Sequence, residues 1–473
     1  MRTIGIDLSV CGEHKAIIAN EQGRFVVPVL TFHTEPASMQ RLIGLAQKGN
    51  TDEQVQAVME PTGMAWFAVA VYLIRNGVTV YLVNSQQVAD LRRYYKKHAK
   101  SDRIDVRVMA KLPLVNAENL HRLEPLSADG MACQRGCKQL DRYQKQITAA
   151  KNRLIALDRF AWPGLEHEVF GEAFSACAMW FREHWYDPRK VKAVGAELIR
   201  QAWADSQVGP DDPGDWVQDL VVLAQQALAL YGEDGKYLDY EAVQAEAVRE
   251  QAYMQFLQTQ HHQLQVQVVR PLYRQMHPSR NLETIPGVGQ DGACVYASFI
   301  GRPERFATLH EFRSWSGMIP NSKQSADSQA SGLKITQSGP RLIKKFSYLD
   351  AETARRYDPQ IAAIYYDQVV NKGKHHLQAI CTCATHVLDR VLTILREDRP
   401  YQLRDIDGTA LTKDQALTII QQRYQVPDEV RRRNNKRSRR ERIEKQAEKK
   451  GEGRLHNDGV VTTPQASRVR GKH

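Results

Sequence analysis

Residues 3–7 read Thr3-Ile4-Gly5-Ile6-Asp7, and residues 55–60 read Val55-Gln56-Ala57-Val58-Met59-Glu60. Each is a short, mostly apolar run that terminates in an acid. Two such runs predict adjacent strands that present carboxylates at one edge of a sheet. Two more acids follow in Lys100-Ser101-Asp102-Arg103-Ile104-Asp105. Positions 102 and 105 are three apart, so on a helix both lie on one face. Four clustered carboxylates repel one another unless cations neutralise them. Oxygen-only ligands select Mg²⁺ or Mn²⁺ over zinc. Two such ions about 4 Å apart are a recurring device for cutting phosphodiesters. On spacing alone, four unrelated surface acids explain the pattern equally well.

Around these runs, residues 1–115 alternate strand and helix signals. Thr3–Leu8, Ala16–Ala19 and Phe25–Phe32 read as strands, and Glu35–Ala46 as a helix. Val55–Met59 is a fourth strand, Ala65–Arg75 a helix closed by Asn76-Gly77, and Val78–Val83 a fifth strand. A helix with the basic stretch Arg92-Arg93-Tyr94-Tyr95-Lys96-Lys97 comes next. Three hairpin-like strands and then strand–helix alternation predict a mixed α/β sheet flanked by helices, in the order of a ribonuclease-H-like fold.

From 116 to 275 strand signals nearly vanish. Leu140–Phe160 and Ala242–Tyr273 carry apolar residues at helical spacing, which predicts long antiparallel helices. They read equally well as a coiled-coil pair for self-association or as a plain helical core. Between them, Trp162, Trp180 and Trp185 and a break at Gly209–Gly214 mark a helical insertion with its own small core. Residues 280–400 read as a further helical domain. It opens with Ile285-Pro286-Gly287-Val288-Gly289, a turn that serves either phosphate contact or plain helix packing. Ser314 to Arg341, rich in Ser, Gly and Lys, reads as a long loop.

The chain has 473 residues, a 42% hydrophobic fraction and a net charge of +11. Length allows roughly three domains. From Arg431 onward, fifteen Lys and Arg face five Asp and Glu, so ten of the eleven net positive charges sit in this tail. Residues 401–473 are therefore expected to be a basic, disordered tail that binds phosphate non-specifically. Any nucleic-acid surface on the body must come from local patches. The seven cysteines show no CxxC pair and read as reduced thiols of a cytoplasmic protein. A strand-like run directly after Met1 argues against a signal peptide. No apolar run is long enough to span a membrane.

Taken together, these stretches resemble the DEDD transposases of the IS-one-ten type of insertion sequence, relatives of the Piv DNA invertases. The matching segments are Gly5-Ile6-Asp7, Met59-Glu60-Pro61-Thr62-Gly63 and Lys100-Ser101-Asp102-Arg103-Ile104-Asp105. In the second half they are Ile285–Gly289, Ser316-Gly317-Met318-Ile319-Pro320, Gln324-Ser325 and Gly332–Gly339. The resemblance implies a RuvC-like catalytic domain over 1–115, a coiled-coil region over 116–275 and a mostly α transposase domain over 280–400. It implies that Asp7, Glu60, Asp102 and Asp105 hold the metal, and that a serine becomes covalently joined to DNA. Ser325 fits that position, with Ser322, Ser328 and Ser331 in the same loop. It further implies a guide RNA, double-stranded DNA at element ends and target, a homo-oligomer (dimer or tetramer) and a nucleoid-associated enzyme. Lys100, Arg103, Lys334, Arg341, Lys344 and Lys345 are the expected phosphate contacts.

Three other readings stay open from the residues. A hydrolytic RuvC-like junction-resolving nuclease needs the acids but no serine. A non-catalytic nucleic-acid-binding protein needs neither. An actin-like sugar kinase shares the Gly5-Ile6-Asp7-Leu8-Ser9 pattern but lacks a second Asp-Gly phosphate loop here.

Overall fold

The structure, a computed structural model, describes residues 1–10, 12–50, 54–95, 101–165, 167–170, 172–209, 215–319, 324–325, 328–329, 335–336, 338–440 and 443. The chain divides into two compact units between Leu126 and Ser127.

The first unit is built on five strands: β1 (Arg2–Asp7), β2 (His14–Ala19), β3 (Leu30–Phe32), β4 (Val55–Met59) and β5 (Thr79–Leu82). Their spatial order is β3-β2-β1-β4-β5. β1, β2 and β3 pair antiparallel, whereas β1, β4 and β5 run parallel. All five residues of β4 are buried, as expected of a strand covered on both faces. On one face, Ile4, Ile6, Ala57 and Met59 pack with α1 (Pro36–Gln47) and α2 (Ala65–Arg75) through Leu42, Ile43, Val69 and Leu73. On the other, Ile17 and Val58 pack with α3 (Ser85–Tyr95) and α4 (Asp102–Val115) through Val88, Val106 and Met109. The expected third strand is shorter than its sequence signal of 25–32. Pro28 has no N–H for a ladder, and Phe25 makes only a lone bridge to Ala19.

The second unit is helical. α5 (Ala128–Ala161) enters it, followed by α6 (Ala176–His184), α7 (Pro188–Ser206), α8 (Trp216–Tyr231), α9 (Tyr240–Leu264) and α10 (Arg270–Met276). α5 and α9 are antiparallel neighbours. Arg153 meets Glu250 at 3.2 Å, and far down α5 the Cys133 thiol meets the Val269 carbonyl just beyond α9. Ile147, Ala150 and Leu154 face Ala247, Met254 and Leu257. The apolar residues of these two predicted helices thus pack against each other within the chain. The insertion has its own core, in which Trp180, Trp203, Trp216 and Phe170 meet edge to face. The start of α5 belongs to a different core: Cys133 and Cys137 pack with α11 (Gln290–Ile300), α13 (Arg341–Ala354) and α15 (His376–Glu397). α12 (Leu309–Ser316), α14 (Pro359–Tyr366) and α16 (Lys413–Arg423) complete that part.

The tail expected from residue 401 departs from the sequence reading. The region from 401 to 440 is not a disordered tail. Residues 401–423 fold back, with α16 against α14 and the Tyr401 hydroxyl 2.7 Å from Asp358. Residues 428–440 are helical. The charge run cannot fold alone, but it gains a docking partner in the chain. The Asn434 amide, 3% exposed, donates to the carbonyls of Val369 (2.8 Å) and Lys374 (3.3 Å).

Candidate active site

Gly5 sets the geometry of the acidic site. A Cβ at this position would lie 2.1 Å from the Val106 carbonyl oxygen and 2.6 Å from the Ala110 nitrogen. The missing side chain lets the α4 backbone rest directly on β1. That contact fixes the first turn of α4, which carries Asp102 and Asp105. Asp7 is two residues beyond Gly5 and so lies on the same side of the strand. The parallel register pairs Ile6 with Met59, which sets Asp7 and Glu60 side by side at the carboxyl ends of β1 and β4.

The electrostatics agree with this placement. Burial, and then the charges of Asp102, Asp105 and Glu60, push the Asp7 carboxyl up to about 6, with Lys15 opposing. Each of the other acids has a partner. Lys15, opposite Asp7 in the β1–β2 register, ion-pairs with Asp102. Arg92 on α3 holds both oxygens of Asp105, at 2.8 and 3.0 Å. The Ser85 hydroxyl donates to Glu60. Four carboxylates are the donor set of a hard divalent cation, so the chemistry of the site fits Mg²⁺ or Mn²⁺. As the side chains stand, no three His, Cys, Asp or Glu residues among the described residues converge on one ion position.

In the second unit, Gly317 caps α12 at φ +72°, and a Cβ there would lie 2.0 Å from the Ser338 carbonyl oxygen. The Thr336 N–H donates to the Ile319 carbonyl at 2.9 Å. These contacts close the base of the 317–339 segment. Within it, β6 (Gln324–Ser325) pairs antiparallel with β7 (Ser328–Gln329), Ser325 opposite Ser328. Gly287, in the Ile285–Gly289 turn, is pressed against α13, and a Cβ there would lie 2.2 Å from the Asp350 carbonyl oxygen. That glycine serves helix packing.

Residues 4–163 match a family model of IS110 DEDD transposases, described as a transposase. Residues 279–366 match a second, described as the transposase IS116/IS110/IS902 family, and together the spans exceed half of the chain. The chain belongs to the IS110 transposase family. An IS110 transposase acts in DNA transposition and recombination. The chain is also 26% identical over 333 residues to a 43.6 kDa protein of insertion element IS110 from Streptomyces coelicolor, covering 69% of this chain and 77% of that relative.

The expected phosphate contacts of this IS110 transposase are in mixed surroundings. Lys100 and Lys334 lie outside the described residues. Arg103 is exposed on α4 between the two acids. Arg341 opens α13 and lines a groove of about 600 Å³ with Lys138, Lys145, Arg305 and Trp315. Lys344 donates to the Ser338 carbonyl at 2.7 Å, and Lys345 pairs with Asp141 at 2.9 Å. Sequence reasoning missed Lys15, Ser85 and Arg92 as partners of the acids. Lys15 was legible as the hairpin neighbour of Asp7, and Arg92 as the first cation of the basic stretch, but Ser85 carried no signal. Among the described residues no helix is long and apolar enough to cross a membrane.

Proposed function

We propose that this transposase cleaves and rejoins DNA strands with a divalent-metal centre held by Asp7, Glu60, Asp102 and Asp105 and a covalent link through Ser325. The observation that carries this reading is the placement of Asp7 beside Glu60 at the ends of β1 and β4, where burial first, and then the charges of Asp102, Asp105 and Glu60, push the Asp7 carboxyl up to about 6. The strand order β3-β2-β1-β4-β5, with its antiparallel hairpin and parallel half, supports a ribonuclease-H-like, RuvC-like fold for the first unit.

Mg²⁺ or Mn²⁺ bound by these acids would polarise the scissile phosphate and stabilise the leaving oxygen. The chain's own groups do the positioning. Arg92 holds Asp105, Ser85 orients Glu60, and Lys15 balances Asp102. The Ser325 hydroxyl is a weak nucleophile and acts only once activated. Its oxygen bonds to phosphorus as the P–O bond to the leaving strand breaks, and the hydroxyl proton ends on the leaving strand's oxygen. The phosphoserine link then retains the bond energy for rejoining. Donor and target DNA are chosen by base pairing to a guide RNA, so sequence reading rests with the RNA. Exchange joins several strands at once, which calls for a homo-oligomer, a dimer or tetramer.

Single substitutions of each acid by Ala test the centre on DNA carrying the element ends, with Mg²⁺ and the element's RNA. Each variant is expected to lose strand cleavage while keeping its melting temperature. Cleavage retained in all four would overturn the metal centre.

A further inference from the structure

We infer that the helix over 428–440 is a docked duplex-DNA clamp. It is a rigid element of the second unit whose outer face grips the phosphates of B-form DNA.

The helix has two opposed faces. At about 100° per residue, Val430, Asn434 and Ser438 share one side. Val430 packs against the C-terminal core and Asn434 is buried. Asn435 accepts from the His376 backbone N–H at 3.1 Å, and Arg437 reaches the Gly373 carbonyl. The side turned away carries Arg432, Arg433, Lys436 and Arg439, all exposed, with Arg440 beside them. No residue from 430 to 440 is acidic. Asp428 and Glu429 open the helix and the cations close it, which suits the helix dipole.

The composition of the outer face selects its partner. It holds no apolar residue, so it neither inserts into a bilayer nor packs on an apolar protein surface. It holds no aromatic ring for stacking the bases of a single strand. From Arg432 to Arg439 the helix rises about 10 Å, close to the major-groove width of B-DNA at about 12 Å. The major groove of A-form RNA is too narrow and deep to admit such side chains. Duplex DNA fits on charge and on dimension.

The test is equilibrium binding of the full chain to a 20-bp fluorescent duplex of arbitrary sequence, by anisotropy across a salt series without Mg²⁺ (a length of about two helical turns). It leaves Asp7 and Ser325 untouched, so its outcome is independent of the proposed chemistry. Combined Arg432→Gln, Arg433→Gln, Lys436→Gln and Arg439→Gln removes four charges and keeps good helix formers. The log–log salt slope is expected to fall by about 3.6, at roughly 0.9 per phosphate contact, with affinity at low salt about tenfold weaker or more. Asn434→Ala keeps every charge but undocks the helix. It is expected to weaken duplex binding and to speed amide exchange over 428–440. An unchanged slope and affinity in the fourfold variant, at unchanged melting temperature, would overturn the inference. So would a loss confined to duplex RNA or single-stranded DNA. Full affinity in Asn434→Ala would replace the docked clamp with a merely tethered basic tail.

Discussion

Two single residues test the packing most sharply. Gly5 is the contact between β1 and α4, so Gly5→Ala forces the helix away from the strand. Overpacking of this kind costs roughly 1–3 kcal/mol. A melting temperature lowered by several degrees (about 2–4 °C per kcal/mol for a domain of 150–250 residues) and loss of strand cleavage are expected together. Full cleavage by this variant would show that the α4 acids do not depend on the close approach. Asp350 on α13 is 6% exposed and accepts from the Tyr296 hydroxyl at 2.6 Å. Burial pushes its carboxyl from an ordinary 3.8 up to about 7, with Tyr296 opposing. Between those values the folded chain keeps a proton that the unfolded chain has released. Stability from this group therefore falls as pH rises from 4 to 7. Asp350→Asn keeps the acceptor and removes the titration. Above pH 7 it is expected to be more stable than wild type by on the order of 2–4 kcal/mol, with a flatter dependence of the urea midpoint on pH. A midpoint that falls equally with pH in both proteins would remove Asp350 as the cause.

At the level of elements, Gly287 joins the Ile285–Gly289 turn to α13 at φ +91°. Gly287→Ala meets both a left-handed backbone and a helix carbonyl, a cost of roughly 2–4 kcal/mol. A lowered urea midpoint checks this, and an unchanged midpoint would contradict the packing role. Turn chemistry alone left that glycine open between phosphate and packing, because both need a missing Cβ. The strands β1 and β4 were legible because their apolar runs end abruptly in acids, and α2 because Asn76-Gly77 closes it. Phe25–Phe32 misled because its β-prone residues surround Pro28, whose effect on pairing depends on the neighbouring strand. The helix over 428–440 was illegible because its stability comes from distant carbonyls of Val369 and Lys374, which no local pattern encodes. The acids were legible as a pattern and Lys15 as the hairpin neighbour of Asp7, but the pairing of Arg92 on α3 with Asp105 arises only from the fold.

For the whole molecule, the insertion around Trp180, Trp203 and Trp216 stands as a separate core closed by the Arg182–Asp158 pair, each residue 1% exposed. Arg182→Leu would strand a buried carboxylate, at roughly 3–5 kcal/mol. Loss of the near-ultraviolet tryptophan signal at a lower denaturant concentration is the expected result, and an unshifted transition would contradict it. The proposed chemistry divides between the units, with the acids in the first and Ser325 in the second. The most direct measurement is a denaturing gel of element-end DNA incubated with Mg²⁺ and the element's RNA, comparing wild type, Asp7→Ala and Ser325→Ala. A protein–DNA adduct in wild type that is absent from both variants is the predicted result. Free nicked DNA from Ser325→Ala, with no adduct in wild type, would contradict it and leave a hydrolytic nuclease.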